Sequence, residues 1–238
     1  MVYAIILAGG SGTRMGNLGI PKQFLTIQDK PIIIHTLEKY IHIKKIDKII
    51  IVCHKQYCDY MKNLLIEYKM KNNILIVEGG KTRMDSILTG LKEIVDNYKI
   101  KDDDIFVSTD SVRPIVKEEE ILDLIIKTKQ YGATTIVNPI IENVVKINKK
   151  NEIETIFKRE NLFKDLSPQA FNIQEFLKCI EKISKNELDE ITDLSQVFLK
   201  CGKSVSIIKG NTDNIKITTP IDMKIVNELI KKEGNVND

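Results

Sequence analysis

The sequence predicts an α/β protein: a doubly wound, mostly parallel, Rossmann-like sheet with a protruding β-hairpin arm. Three observations predict it. Short apolar runs rich in β-favouring residues, beginning with Val2-Tyr3-Ala4-Ile5-Ile6-Leu7-Ala8, lack polar alternation, as strands buried on both faces do. Helical patterns of roughly 10–15 residues separate these runs, the rhythm of βαβ units joined by right-handed crossovers. That rhythm breaks between 138 and 165, where apolar residues alternate by twos around an Asn/Lys turn.

Taken in order, the first strand (2–8) runs into Gly9-Gly10-Ser11-Gly12-Thr13-Arg14-Met15-Gly16, which holds four of the twelve glycines. Residues 31–40 read as a helix with Ile32, Ile33, Thr36, Leu37 and Tyr40 on one face, followed by a buried strand at 49–53. A helix over 55–68, a strand at 74–77, a helix over 85–98 and a strand at 104–108 ending in Thr109-Asp110 continue the alternation. The next helix, 117–131, opens with Glu118, Glu119 and Glu120, where the helix dipole favours acids. The arm is centred on a hairpin over 143–157 that turns at 148–151. A long hairpin has two exposed edges and little core, so pairing with a second copy of the chain is expected, the alternative being a hairpin folded onto its own sheet. Helices are expected at 173–184 and 193–201, a strand at 204–209, and a last helix over 220–232 with Thr219 as N-cap and Pro220 in its first turn. The whole, 1–238, reads as a single domain with 138–165 as its dimerisation arm, and only the tail 231–238 is expected to lack order.

Composition narrows the function. With 36 Lys+Arg against 33 Asp+Glu the formal charge is +3, too small and dispersed for a nucleic-acid partner. No apolar run approaches the roughly 18 residues of a spanning helix, and the opening run lacks the basic start and cleavage site of a signal peptide, so a cytoplasmic protein with no membrane partner is expected. Cys53, Cys58, Cys179 and Cys201 form no C-x-x-C pair and are expected to be reduced thiols. Only Arg14, Arg83, Arg113 and Arg159 interrupt a set of basic residues that is otherwise lysine. A planar fork of donors suits phosphate and carboxylate oxygens, so each reads as an anion contact or a structural ion pair.

Ligands of open α/β sheets bind beyond the carboxyl ends of the strands, and four polar segments fall there. The first, glycine-rich, offers backbone amides to phosphates. It is neither a Walker loop nor G-x-G-x-x-G, and His54 stands where a dinucleotide site wants an acid after the second strand. With Arg14 inside it and Lys22 following, the loop suits a nucleotide polyphosphate. Gly79-Gly80-Lys81-Thr82-Arg83-Met84-Asp85-Ser86 places small residues beside a helix start, fitting either a nucleobase edge or a plain cap. Asp110 fits either a Mg²⁺ bridging phosphates or a pairing with Arg113. Lys216 and Asp222 close the set, reading as site residues or as an ordinary helix start.

In order along nearly the whole chain, Leu7-Ala8-Gly9-Gly10-Ser11-Gly12-Thr13-Arg14-Met15-Gly16, Pro21-Lys22-Gln23-Phe24-Leu25, the stretch 31–40, Gly79-Gly80-x-x-Arg83-x-x-Ser86, Asp110-x-x-Arg113-Pro114, Ser167-Pro168-Gln169-x-Phe171, Ile191-Thr192-Asp193 and Asn214-Ile215-Lys216-x-Thr218-x-Pro220-x-Asp222 resemble the IspD/TarI cytidylyltransferase family. The resemblance implies transfer of CMP from CTP to a polyol phosphate, giving a CDP-polyol and pyrophosphate with Mg²⁺ as cofactor. It implies Arg14, Lys22 and Lys216 as catalytic cations and a nucleotide site of Leu7, Ala8, Gly9, Gly10, Gly12, Thr13, Gly79, Gly80, Arg83, Ser86 and Asp110. Asp110 and Asp222 would be the metal carboxylates, and Arg113, Glu142, Asn143, Arg159 and Ser167 would meet the acceptor, Arg159 from the arm of a neighbouring subunit. Residues 16–40 and 214–222 look most like the ribitol-5-phosphate members of wall and capsule synthesis, the methylerythritol-phosphate enzymes being the alternative. The chain departs from most members at Thr109 for His, at Glu142-Asn143 for Asp-Thr and at Ser167 for Thr, so the acceptor half is the altered one. A sugar 1-phosphate nucleotidyltransferase and a nucleotide-binding protein without turnover are the competing readings.

Overall fold

A computed structural model describes residues 1–10, 19–70 and 73–236, the last four of them as backbone only. Strand β1 (Val2–Ala8) carries Tyr3, Ala4, Ile5 and Ile6 at no exposure. Each such isoleucine contributes about 1.5–3 kcal/mol by leaving water. After a short turn at Lys22–Phe24, a two-residue ladder of β2 (Thr26–Ile27) and β3 (Lys30–Pro31) closes on Gln28 and Asp29, both at positive φ, and sets the entry to α1 (Ile32–Ile41). There follow β4 (Lys48–Cys53), α2 (Cys58–Glu67), β5 (Ile74–Glu78), α3 (Arg83–Asn97), β6 (Ile105–Asp110), α4 (Glu118–Tyr131) and β7 (Ala133–Pro139). The arm contributes β8 (Val145–Ile147) and β9 (Ile153–Ile156). The chain closes with β10 (Phe163–Asn172), α5 (Ile173–Ile180), α6 (Lys185–Glu190), α7 (Ser195–Lys200), β11 (Ser206–Lys209) and α8 (Pro220–Val236).

Seven strands form one sheet in the order β11-β7-β10-β6-β1-β4-β5. All neighbours are parallel except β10, which runs antiparallel to both β6 and β7. Side chains alternate along β1: Ala4 and Ile6 pack with α1, α2 and α4, while Tyr3 and Ile5 pack with α3, α5 and α7 on the opposite face. From β1 the chain winds outward through β4 to β5 and then returns to β6 on the other side of β1. The direction of winding therefore reverses at β1, which is where an open α/β sheet leaves a crevice for ligands.

The predicted sheet and helices are present, with differences of physical origin. Strands β7 and β10 fall where the sequence suggested no regular strand. Pro168 argues against a central strand, yet the β10–β7 register shifts between Leu166 and Gln169, and this irregularity accommodates it. The predicted helix 173–184 stops at Ile180, and the polar α6, capped by Ser184 and Glu187, begins a second helix. Helix α8 runs to Val236 through a tail expected to lack order. Residues 143–157 do form a hairpin, in a two-stranded sheet separate from the main one. All four cysteines are free thiols.

Candidate active site

At the carboxyl ends of β1, β5 and β6 lies a cavity of about 420 Å³. Its rim carries four cations, Lys22, Lys81, Arg83 and Lys216, and Asp110 is the one acid among the described residues lining it. Such a rim attracts a polyanion.

Asp110 ends β6 and is 9% exposed. Its Oδ2 receives Lys216 Nζ at 3.0 Å and Arg113 Nε at 3.4 Å, and Arg83 stands 3.8 Å from Oδ1. Burial alone would raise its pKa, but Lys216, Arg83 and Arg113 outweigh that cost and hold the carboxyl below its ordinary value. Arg113 is itself buried and donates to the Asn214 carbonyl at 2.8 Å, so it braces Asp110 from below.

Lys22 lies on the short turn after β1 and donates to the Ile217 carbonyl at 2.7 Å, next to Lys216. The two lysines thus share one scaffold, since Ile217 is anchored in turn by its N–H to the Val112 carbonyl. Beside Lys22, buried Gln23 donates to the Ala8 carbonyl at 2.7 Å and the Gly10 carbonyl at 3.2 Å, fixing the start of the glycine-rich loop to the lysine turn. Opposite, Gly79 and Gly80 lead into α3, where Thr82 and Asp85 form a reciprocal capping box. A Cβ at Gly80 would meet Asp85 Cβ at 2.2 Å, and one at Gly79 would meet Ser86 Oγ at 3.1 Å. Glycine is therefore required at Gly80, where the backbone passes this close to the helix start.

Nine of the expected residues line the cavity: Leu7, Gly9, Gly10, Lys22, Gly80, Arg83, Ser86, Asp110 and Lys216. Gly12, Thr13 and Arg14 lie outside the described residues. Ala8 and Gly79 sit just behind the lining, Gly79 donating its N–H to the Cys53 carbonyl at 2.7 Å. Asp222 stands apart from the lining: its Oδ2 accepts Thr218 N at 2.9 Å and Thr219 N at 2.7 Å and caps α8. Arg113 and Ser167 are buried beneath Asp110, away from the lining. Glu142, Asn143 and Arg159 belong to the arm, where Arg159 donates to the Ile141 carbonyl. Sequence reasoning missed Gln23, Lys81, Thr82, Ser111 and Val112 as lining residues. The position of Gln23 immediately after Lys22 was its available signal.

The comparisons with known proteins give the family. A family model described as 2-C-methyl-D-erythritol 4-phosphate cytidylyltransferase, IspD, matches residues 2–232. The chain belongs to the IspD cytidylyltransferase family. Ribitol-5-phosphate cytidylyltransferase of Lactiplantibacillus plantarum is 34% identical over 98% of this chain and 100% of that protein. The crystal structure of 4-diphosphocytidyl-2C-methyl-D-erythritol synthase from Anaerococcus prevotii superposes with a TM-score of 0.83 at 28% identity, covering 97% of this chain and 96% of that one. That of 2-C-methyl-D-erythritol 4-phosphate cytidylyltransferase from Francisella tularensis gives 0.80 at 28% identity, covering 95% and 98%. The protein is accordingly a CTP-dependent nucleotidyltransferase of Rossmann-like fold, as its glycine-rich loop and motif order predicted. Among the described residues no helix is long and apolar enough to cross a membrane.

Proposed function

We propose that the chain transfers CMP from CTP to D-ribitol 5-phosphate, giving CDP-ribitol and pyrophosphate in the cytoplasm for wall or capsule polysaccharide synthesis. The observation that carries the transfer is the rim of four cations around a single carboxylate at the switch point of the sheet. The acceptor assignment rests on the 34% identity to a ribitol-5-phosphate enzyme along the full length of both chains. 2-C-methyl-D-erythritol 4-phosphate is the second reading, favoured by the family model and the two solved relatives.

The acceptor phosphate is already an anion at neutral pH, its second pKa being about 6, so no general base is required. Its oxygen forms a bond to the α-phosphorus of CTP. The bond from that phosphorus to the oxygen bridging the β-phosphate breaks, and pyrophosphate leaves with the electron pair. Lys22 and Lys216, joined through Ile217, neutralise charge developing at the α-phosphate, and Arg14 on the glycine-rich loop serves the triphosphate. Gly79, Gly80 and Ser86 take the cytosine side, with Leu7, Ala8, Gly9, Gly10, Gly12, Thr13 and Arg83 completing the nucleotide site. Asp110 would hold Mg²⁺ together with phosphate oxygens. This fits an ion that favours one or two carboxylates plus phosphates. Once bound, the ion would offset charge on the triphosphate. Asp222, committed by Oδ2 to its cap, would serve the site by placing the Lys216 segment.

The chain works as one nucleotidyltransferase domain, 1–238, that dimerises through its arm, 138–165. Supporting this, Ile141, Val145, Ile147, Ile153, Ile156 and Phe157 are all exposed on the arm. So many apolar side chains on a two-stranded hairpin call for a covering surface. Arg159, with Glu142 and Asn143, would then reach the acceptor in the neighbouring subunit's cavity. A pyrophosphate-release assay pairing CTP, UTP, ATP and GTP with ribitol 5-phosphate and methylerythritol 4-phosphate tests the proposal. Release is expected with CTP and ribitol 5-phosphate. A preference for UTP overturns the cytidine assignment, and release with methylerythritol 4-phosphate alone overturns the acceptor.

A further inference from the structure

We propose that Gln23 is a positioning residue for the nucleotide: its amide holds the start of the glycine-rich loop against the Lys22 turn and aims the Gly9 N–H into the cavity. The role rests on the cytidylyl transfer proposed above. Three successive side chains of the turn Lys22–Phe24 take three directions. Lys22 lines the cavity, buried Phe24 packs against the rings of Tyr57 and Tyr60 at 5.4 and 5.0 Å, and buried Gln23 turns to the end of β1. Phe24 thereby anchors the turn in the core, and whatever Gln23 holds is anchored with it.

Gln23 Nε2 meets two carbonyl oxygens, of Ala8 at 2.7 Å and of Gly10 at 3.2 Å, and two acceptors fix which end of the amide faces them. The ladder of β1 with β4 ends at Ala8 opposite Cys53, so Gln23 supplies a donor that no further rung of the sheet offers. The Leu7 carbonyl accepts the Ser111 N–H on the β6 side, and in an extended strand the next carbonyl, that of Ala8, turns to the other side. A trans peptide sets its N–H opposite its C=O, so the Gly9 N–H points back toward β6, where Asp110 and Ser111 line the cavity. Among the described residues nothing accepts that N–H, which leaves it for a ligand. Glycine has the widest backbone freedom of any residue, and Gln23 removes it by holding the carbonyls of the residues before and after Gly9. Lys22, next in the chain, donates to the Ile217 carbonyl at 2.7 Å beside Lys216, so one run of contacts sets the loop in register with both lysines.

The test uses Gln23→Met and Gln23→Glu in the full chain, each checked for folding by thermal melting. Gln23→Met keeps the length of the side chain and loses the donor. It is expected to weaken CTP binding with Mg²⁺, measured by calorimetry, about tenfold, with the acceptor KM within about twofold, the scale of one buried hydrogen bond. Gln23→Glu turns a carboxylate toward two carbonyl oxygens and should weaken binding further at pH 8. Its carboxyl regains a donor on protonation, so CTP affinity relative to wild type at the same pH should recover as pH falls to 6. Lys22, Lys81, Arg83, Lys216 and Asp110, the charged groups among the described residues lining the same cavity, are common to both proteins in that ratio. Adding Gln23→Met to Lys22→Ala should cost less CTP affinity than Gln23→Met costs the wild type, because the two residues act as one unit. The proposal is overturned if Gln23→Met lowers the melting temperature and leaves CTP affinity intact, if the Gln23→Glu ratio is flat from pH 8 to 6, or if the effects of Gln23→Met and Lys22→Ala add fully. Wild-type protein that binds no CTP overturns the functional reading itself.

Discussion

Every residue of β6 is buried between two helical layers, whereas every residue of β8 and β9 faces solvent. The cavity stands at the end of the first. Asp110 there is held at its backbone N–H by Ser167 of β10 and at its carboxylate by Lys216, ahead of α8, and by Arg113, all within one chain. The arm has the opposite character: a hairpin paired only with itself, whose apolar side chains have no core. One region is shaped by the sheet and the other waits on a surface it does not contain. The contrast sharpens the proposal made above: if the chain dimerises through its arm, the buried end of one sheet would handle the nucleotide and the partner's exposed arm would help to handle the acceptor.

Removing a cavity cation should break that comparison most severely. Lys22→Ala or Lys216→Ala is expected to lower kcat by about 10²-fold or more, as loss of a preorganised charge contact does. Turnover should suffer far more than melting temperature, although Lys216→Ala also takes a charge partner from the buried Asp110 carboxylate and should lower the melt more than Lys22→Ala does. Turnover that survives both substitutions would remove the cavity from the chemistry. A smaller effect is expected at the arm: Arg159→Ala should raise the acceptor KM about tenfold while the KM for CTP stays put. Substrate-variation kinetics on the two substrates separate these outcomes.

The smallest effect concerns stability at the base of the arm. Loss of solvation at its carboxyl, with Asp193 alongside, pushes Asp165 up to about 6 from the ordinary 3.8. A raised carboxyl pKa means that the folded state binds the proton more tightly. This contribution is fully present below pH 3.8 and is lost as pH rises through about 6. Asp110, whose pKa is lowered, acts in the opposite sense and below that window. His35, whose pKa burial lowers, works in the opposite direction in the same window, so thermal melts from pH 5 to 7.5 should show the Asp165 contribution as a difference: relative to wild type, Asp165→Asn should lose less stability as pH rises. An unchanged slope in the variant would remove the pair from the account.

Much of this was legible in the sequence because parallel strands buried on both faces announce themselves as unbroken apolar runs, as 2–8 and 49–53 do. The cations were legible because arginine is scarce and Lys22 and Lys216 sit in distinctive polar segments. Strands β7 and β10 were harder to see: β7 carries Thr134 and Thr135 and runs directly into the arm, and β10 contains Asp165 and Pro168. Their pairing depends on a register shift that no local pattern encodes. The same dependence hid the place of Ser167 and Arg113. Both motifs were visible, but only the antiparallel register reveals that they meet beneath Asp110. Asp222 was likewise visible as a conspicuous acid, while its service as the cap of α8 emerged only from the Thr218 and Thr219 amides.

The most direct measurement mixes two impaired chains, assayed with ribitol 5-phosphate below its KM, where Arg159→Ala is slow. Lys22→Ala retains the arm and loses the cavity, and Arg159→Ala retains the cavity and loses the arm. When the two are unfolded together, refolded and assayed for pyrophosphate release from CTP and ribitol 5-phosphate, random pairing should return about a quarter of wild-type activity, since half the dimers would hold one intact site of two. A mixture no more active than the sum of its separately refolded components would contradict the division of labour between sheet and arm.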